Sequence, residues 1–274
     1  MRISPFTPLF FIDRKTDGID SEYVQTFATS DRILIEVFMH PNEKDTPWQL
    51  LSASDDKLIG NINWKTWQIN NATVLHFSLL SPAPGFYKVR IGDRQSRVFK
   101  ITDDPFELSR TTLIQYSHKN NLQRTDVAFF IDHMQHFFDF RVPGGFKDSN
   151  WTFSVDNEQF TTPLSDISEL YAMESTQKRF TLGGNVGVPV WFGELLNRLL
   201  TCSHVYFDGE KYCRKEGNVP EMTAQLEGVN SFVFTQLLQR SLYLDPEIEY
   251  NNRLLMRRAE KGFRSNPNNE NRII

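Results

Sequence analysis

The sequence predicts a mainly β fold in two successive parts with one α-helix laid on the second. Three observations carry this. Short alternating apolar runs separated by turn clusters fill the first hundred residues or so. The supply of 23 Phe and 8 Tyr suits pleated sheets better than helical bundles. Helical periodicity appears clearly at one place, within Arg179–Glu221, where strand, glycine turn, short helix and tight hairpin come one after another.

Residues 1–105 read as β throughout. RILIEVFMH (Arg32–His40), ATVLHFSLL (Ala72–Leu80), GFYKVRI (Gly85–Ile91) and SRVFKI (Ser96–Ile101) are strands. In GFYKVRI, Tyr87, Val89 and Ile91 fall on one face and Lys88 and Arg90 on the other, the alternation of a half-buried strand. Gly92-Asp93-Arg94-Gln95 turns it onto the next strand. About seven strands in a hundred residues predict an immunoglobulin-like sandwich, whose penultimate strand GFYKV resembles. Asp103-Asp104-Pro105 sets the expected boundary, because charge and proline end a strand.

Residues 106–245 form the second, antiparallel part, with strand candidates TLIQYSH, HFFDFRV, WTFSV, RFTL, HVYF, KYCR, MTAQLE and SFVFTQLL. Val142-Pro143-Gly144-Gly145-Phe146 is expected to end its strand in a turn. The helix spans 189–200. Pro189 suits its first position, where a missing N–H costs nothing. Phe192, Leu195, Leu196 and Leu199 make one apolar stripe at i, i+3, i+4, i+7. Gly193 costs the helix about 1 kcal/mol against Ala, which either reflects close packing there or has no structural meaning. Residues 246–274 shift to a locally basic, Asn-rich composition, and read as a short helix and then a flexible tail. Arg253, Arg257, Arg258 and Arg264 are either a solvated helix face or the contact residues of an arm docking on a neighbouring subunit.

The bulk numbers exclude some classes. A formal net charge of -4 suggests neither a nucleic-acid surface nor affinity for an anionic membrane. MRISPFTPLFFIDRK has no uninterrupted apolar core, so a signal peptide is not expected, and no run is long enough to span a bilayer. A soluble protein made in the cytoplasm is the expectation. The two Cys suit a reducing compartment and give no disulfide framework.

Candidate chemistry is sparse. Asp208-Gly209 predicts a two-residue hairpin that pairs Phe207 with Glu210 and sets His204 opposite Cys213. Cys202 is expected on the same face, so Cys202, His204 and Cys213 converge as soft ligands, but a fourth ligand is missing locally and no metal is expected. His133 and His136 share a face only if DHMQH is helical, and the strand directly after it argues against that. Gly183, Gly184 and Gly187 do not make a dinucleotide fingerprint and instead suit a turn of positive φ. No catalytic constellation assembles, and no cofactor is implied.

FFDFRVPGGF (Phe137–Phe146) and LGGNVGVPVWFGELLNRLLTCSHVYFDGEKYCRKEGNVPE (Leu182–Glu221) resemble structural proteins of tailed bacteriophages and prophages, namely tail, ring or baseplate components. The likeness covers roughly residues 111–244. It implies a non-enzymatic virion subunit, assembled in the host cytoplasm, that forms a homo-oligomeric cyclic ring around a tail channel between other tail or connector proteins. The resemblance carries over no catalytic residues. Two other readings stand beside it. One is a carbohydrate-binding or surface-recognition sandwich using Trp48, Trp64, Trp67 and Trp151. The other is a glycoside-active enzyme with two carboxylates in one cleft.

Overall fold

The computed structural model describes residues 1–11, 19–122, 124–215, 217–225 and 228–241. The first part comprises β1 (Arg2–Ile3), β2 (Ile19–Asp20), β3 (Gln25–Ala28), β4 (Ile33–Met39), β5 (Trp48–Ser52), β6 (Leu58–Asn61), β7 (Lys65–Asn70), β8 (Thr73–Leu80), β9 (Gly85–Ile91), β10 (Arg94–Gln95) and β11 (Phe99–Thr102). One sheet runs β1-β4-β8-β7 and the other β3-β11-β9-β5-β6, with β3 parallel to β11. This is the strand order of the predicted immunoglobulin-like sandwich. Two further marks of that fold are present. Trp48 is buried on β5, the strand next to β9 in the second sheet. At the start of β9, Tyr87 donates its hydroxyl to the Ala83 carbonyl at 2.9 Å, the corner bond of that fold. Ile33, Ile35, Val37 and Met39 face the sandwich core with Val89, Ile91, Phe99 and Ile101.

The second part begins after a short helix, α1 (Pro105–Leu108), capped by Asp104. Its strands are β12 (Thr111–Ser117), β13 (Phe130–Ile131), β14 (Met134–Gln135), β15 (Phe138–Thr161), β16 (Ile167–Leu182) and, after helix α2 (Val190–Leu199), β17 (His204–Phe207), β18 (Glu210–Arg214), β19 (Glu221–Ala224), β20 (Val229–Asn230) and β21 (Phe232–Arg240). The order β16-β15-β12-β17-β18-β21 closes on itself because β21 also pairs β16, Gln177 opposite Gln239 through Leu182 opposite Phe234. The result is a six-stranded antiparallel barrel with β19 appended to β21. Ile114, Phe140, Phe180, Leu182, Phe207, Phe234 and Leu238 fill one buried cluster with the helix stripe.

All four predicted stripe residues of α2 are buried, with Trp191 beside them. Pro189 is the N-cap, one position before the helix, because its extended backbone (ψ 157°) is not yet helical. A Cβ on Gly193 would stand 2.2 Å from Phe234 Cε1, so close packing is the reason for the glycine.

β4 is buried along its whole length. Its outer face meets the barrel side: Leu34 joins the barrel cluster, and Phe38 packs with Ala128 and Ile131. After β1 the chain buries Phe6 in the barrel cluster and Leu9 in the sandwich core. There the Tyr116 hydroxyl donates to the Phe6 carbonyl, and Arg198 donates to that of Pro5 at 2.9 Å.

One expectation fails. Val142–Phe146 does not end a strand. FDFRV of the first run and all of WTFSV belong to the single strand β15, which passes through Gly144 (φ 126°) with Gly144 opposite Leu182. The glycine answers a close approach, not a turn: a Cβ there would lie 2.0 Å from the Thr181 carbonyl oxygen. Beyond the barrel, β15 and β16 continue as a two-stranded ribbon from Trp151 opposite Lys178 to Thr161 opposite Ile167. At the usual rise per residue this projects about 33 Å.

Candidate functional site

The β17–β18 hairpin forms as its sequence dictates. Asp208 (φ 47°) and Gly209 (φ 88°) take the paired positive angles of a type I′ turn, and Phe207 faces Glu210. The predicted convergence of Cys202, His204 and Cys213 does not occur. β17 starts at His204, so strand alternation never reaches Cys202. That residue sits in the turn after α2, its amide bonded to the Leu199 carbonyl, and packs half-buried against the barrel cluster. Burial pushes its thiol up to about 12. His204 is buried, whereas Cys213 is exposed with its Sγ 3.5 Å from the Gln239 carbonyl. Among the described residues no group of three or more His, Cys, Asp and Glu could hold a metal ion. His133 occupies the tip of the β13–β14 hairpin with Asp132, both at positive φ. His136 lies beyond that hairpin, lowered to about 4 by burial and by the charges of Arg32 and Lys65.

A cleft of about 960 Å³ separates β11 and α1 from the barrel wall at Gly144, Gly145 and Gly183. Its charged groups are already partnered. Lys100 holds Glu107 at 2.5 and 2.7 Å, which lowers the pKa of that carboxyl, and the Arg110 guanidinium lies 4.1 Å from the Phe106 ring centre. Asp104 accepts the Phe106 amide. These groups make a polar wall of the cleft.

The carboxyls with strongly raised pKa lie in the seam between sandwich and barrel. Glu36, fully buried on β4, accepts the Ala128 amide at 3.1 Å, and burial pushes it up to about 8. Asp139 on β15 accepts from Gln115 and from the Arg32 amide, each at 2.8 Å, and is pushed up to about 6 by burial and by Asp31 nearby. Asp31 itself receives Arg141 in a two-pronged bond, 2.7 and 2.8 Å. The sequence held a signal for these sites, an acid inside each of the apolar runs RILIEVFMH and HFFDFRV. The cluster is closed to solvent and ties the two parts together.

The tryptophans do not form one platform. Trp48 is buried and stacks on Trp64 at 5.6 Å, and Trp64 stacks in turn on His76 at 6.1 Å. Trp67 is half-buried against Phe38 and Leu75. Trp151 stands apart at the root of the ribbon, with Lys178 Nζ 3.9 Å from its ring centre.

The ribbon itself exposes many large apolar side chains. Opposed residues on antiparallel strands share a face. Trp151, Phe153 and Val155 therefore form a row on the face continuous with the barrel interior, while Tyr171 and Met173 lie on the other face. Phe153 is 76% exposed and Leu164, at the tip, 92%. Residues 151–177 carry Asp156, Glu158, Asp166, Glu169 and Glu174 without any Lys, Arg or His. This surface is both apolar and acidic. The reading of separate short strands missed it, because the sequence shows alternation but not whether a third layer covers it. Arg253, Arg257, Arg258 and Arg264 lie outside the described residues.

No helix among the described residues is long and apolar enough to cross a membrane. No family model, curated protein or solved structure matches the chain.

Proposed function

We propose that this chain is a structural subunit of a phage tail or its connector, assembling as a cyclic homo-oligomeric ring that holds neighbouring tail proteins around a channel. The observation that carries the reading is the ribbon of β15 and β16. A two-stranded ribbon is marginal in water, and one with aromatic side chains exposed on both faces gains stability by being covered. A ring needs two different, mutually complementary surfaces on each subunit. The acidic, apolar ribbon is one, and the stretch with Arg253, Arg257, Arg258 and Arg264 carries the opposite charge in the sequence. The resemblance at Phe137–Phe146 and Leu182–Glu221 supports the same class of protein. An acidic ribbon repels the phosphate backbone, so the neighbours in this reading are proteins.

The test combines multi-angle light scattering and negative-stain electron microscopy on the wild type and on Phe153→Ser with Val155→Ser. Closed particles of a single size are expected, each subunit burying more than about 1,000 Å². The double variant should keep its melting temperature and lose assembly. Tail particles that form complete and infectious without this chain would overturn the proposal.

A further inference from the structure

The cleft between α1 and the barrel wall is built from both parts of the chain, and the bonds around it brace it. Arg141 on β15 binds Asp31 of the sandwich side through two bonds and donates a third, at 3.1 Å, to the hydroxyl of Thr111, a lining residue. Thr111 in turn donates to the Leu108 carbonyl at the end of α1, at 2.7 Å. At Gly144, also in the lining, the carbonyl accepts from the Thr112 hydroxyl at 2.9 Å and the amide donates to the Arg110 carbonyl at 3.4 Å. Walls held in this way need little further ordering when a ligand enters. The volume of about 960 Å³ is that of a small-molecule site, and such sites favour the junction between two parts of a protein.

The lining selects the chemistry of what can bind. It holds two cations, Lys100 and Arg110, and two carboxylates, Asp104 and Glu107. Glu107 already holds Lys100 at 2.5 and 2.7 Å, so an anionic ligand would have to displace a carboxylate from its partner. A purely apolar ligand would strip water from these groups and return no hydrogen bonds. An ammonium and a carboxylate each offer more hydrogen-bonding positions than their mutual bond uses, and the side-chain amide of Asn185 can both donate and accept. The cleft also has apolar surface. Phe106 on α1 is 64% exposed, and Val186, on the turn before α2, is 53% exposed. Phe86 on β9, opposite Lys100 of β11 and 51% exposed, carries the aromatic surface past the cleft beside the Lys100 ammonium. Balanced charge, fixed donors and acceptors, and open aromatic rings suit a neutral molecule with many hydroxyls and an apolar ring face.

We infer that this cleft binds a neutral oligosaccharide, which stacks on Phe106 and takes hydrogen bonds from Lys100, Glu107 and Asn185. The assignment is to binding without hydrolysis. Lys100 holds the Glu107 carboxyl below its ordinary range, whereas glycoside cleavage needs a carboxylic acid raised above it. Every residue of the site belongs to one chain, so the inference stands apart from ring assembly.

The test begins with the full chain on a microarray of neutral and acidic glycans from bacteria, plants and animals. Retention on neutral structures is expected, and the best-retained neutral oligosaccharide then serves as the probe in isothermal titration. Phe106 and Asn185 are both exposed, so Phe106→Ala and Asn185→Ala should keep the wild-type melting temperature. At least one of them should weaken binding by about 10-fold or more. Leu164→Ser, at the ribbon tip, should leave the affinity within about 2-fold of wild type. Hydrogen exchange on the unmodified protein with the same oligosaccharide gives a reading free of substitutions: amides of residues 104–111 or 183–187 should slow. Retention on acidic glycans alone, or on none, would overturn the inference. So would affinity that both cleft variants leave unchanged, a loss caused by Leu164→Ser, protection absent from both segments, or release of new reducing ends from the bound oligosaccharide.

Discussion

Gly193→Ala sets two effects of known size against each other. In an exposed helix the change is stabilising by about 1 kcal/mol, because alanine restricts the unfolded chain and suits the helix. Here the new methyl would stand 2.2 Å from Phe234 Cε1 and 2.6 Å from its Cδ1 and Cζ. Contact distances for such carbons begin near 3.5 Å, so the ring or the helix must give by more than about 1 Å. Both are locked: Phe234 and Phe192 are buried in one cluster, and Phe192 packs 4.7 Å from Phe10 and 5.7 Å from Phe140. Overpacking of this kind costs about 1–3 kcal/mol, and a displacement this large belongs at the upper end. The net expectation is a loss of about 2 kcal/mol, read as a lower urea midpoint at unchanged slope. Phe234→Leu removes the ring that the methyl meets. The double variant should therefore be more stable than the sum of the single changes, by about 1 kcal/mol or more. If Gly193→Ala raises the midpoint, or if the two changes add without coupling, the close approach of α2 to β21 is not what selects glycine here.

Leu196→Ala should cost about 2–5 kcal/mol, since the side chain is fully buried in the barrel cluster; a loss below about 0.5 kcal/mol together with weakened assembly would make that face of α2 an interface. Glu36→Gln should flatten the dependence of stability on pH. With its folded pKa raised from 4.5 to about 8, Glu36 is least costly below about pH 4.5, and the cost grows as pH rises through about 8. The ceiling is on the order of 4–5 kcal/mol. Urea midpoints at pH 5 and pH 9 should thus favour the variant only at the higher pH, and an identical pH slope in the two proteins would refute the assignment.

The parts legible in the sequence are those whose signals are local. Tyr87, Val89 and Ile91 alternate as they pack, Asp208-Gly209 fixes its own turn angles, and the stripe from Phe192 to Leu199 marks the buried face of α2. What could not be read depends on distant partners. Phe6 lies in the barrel cluster and bonds Tyr116 through its carbonyl, a link across the chain that no window of sequence contains. Gly144 signals positive φ correctly, yet whether the strand turns or runs on depends on the neighbouring β16 backbone. The run WTFSV declares a strand but not its exposure. Alternation looks the same whether the apolar face meets a core or water. Convergence of Cys202 with His204 failed for a related reason, since strand periodicity was extended across the end of α2, where the backbone is a turn.

The positions of the charged seam and of the ribbon divide stability from assembly. Asp31, Arg141, Asp139 and Glu36 lie where the sandwich meets the barrel, and removing one partner of a buried pair leaves an uncompensated charge. Breaking the Asp31–Arg141 pair there should lower the stability of a single subunit. The ribbon beyond Trp151 has no such framework among the described residues: its pairs are those between β15 and β16, and its large side chains are exposed. It rises from Phe146 and Phe180, whose rings pack at 5.2 Å inside the barrel, so its root is fixed while its outer length depends on what covers it. Substitutions at Phe153 or Val155 therefore leave the core untouched and act on association. In the proposed ring, that separation is expected of a part whose order is completed by contact with a neighbour.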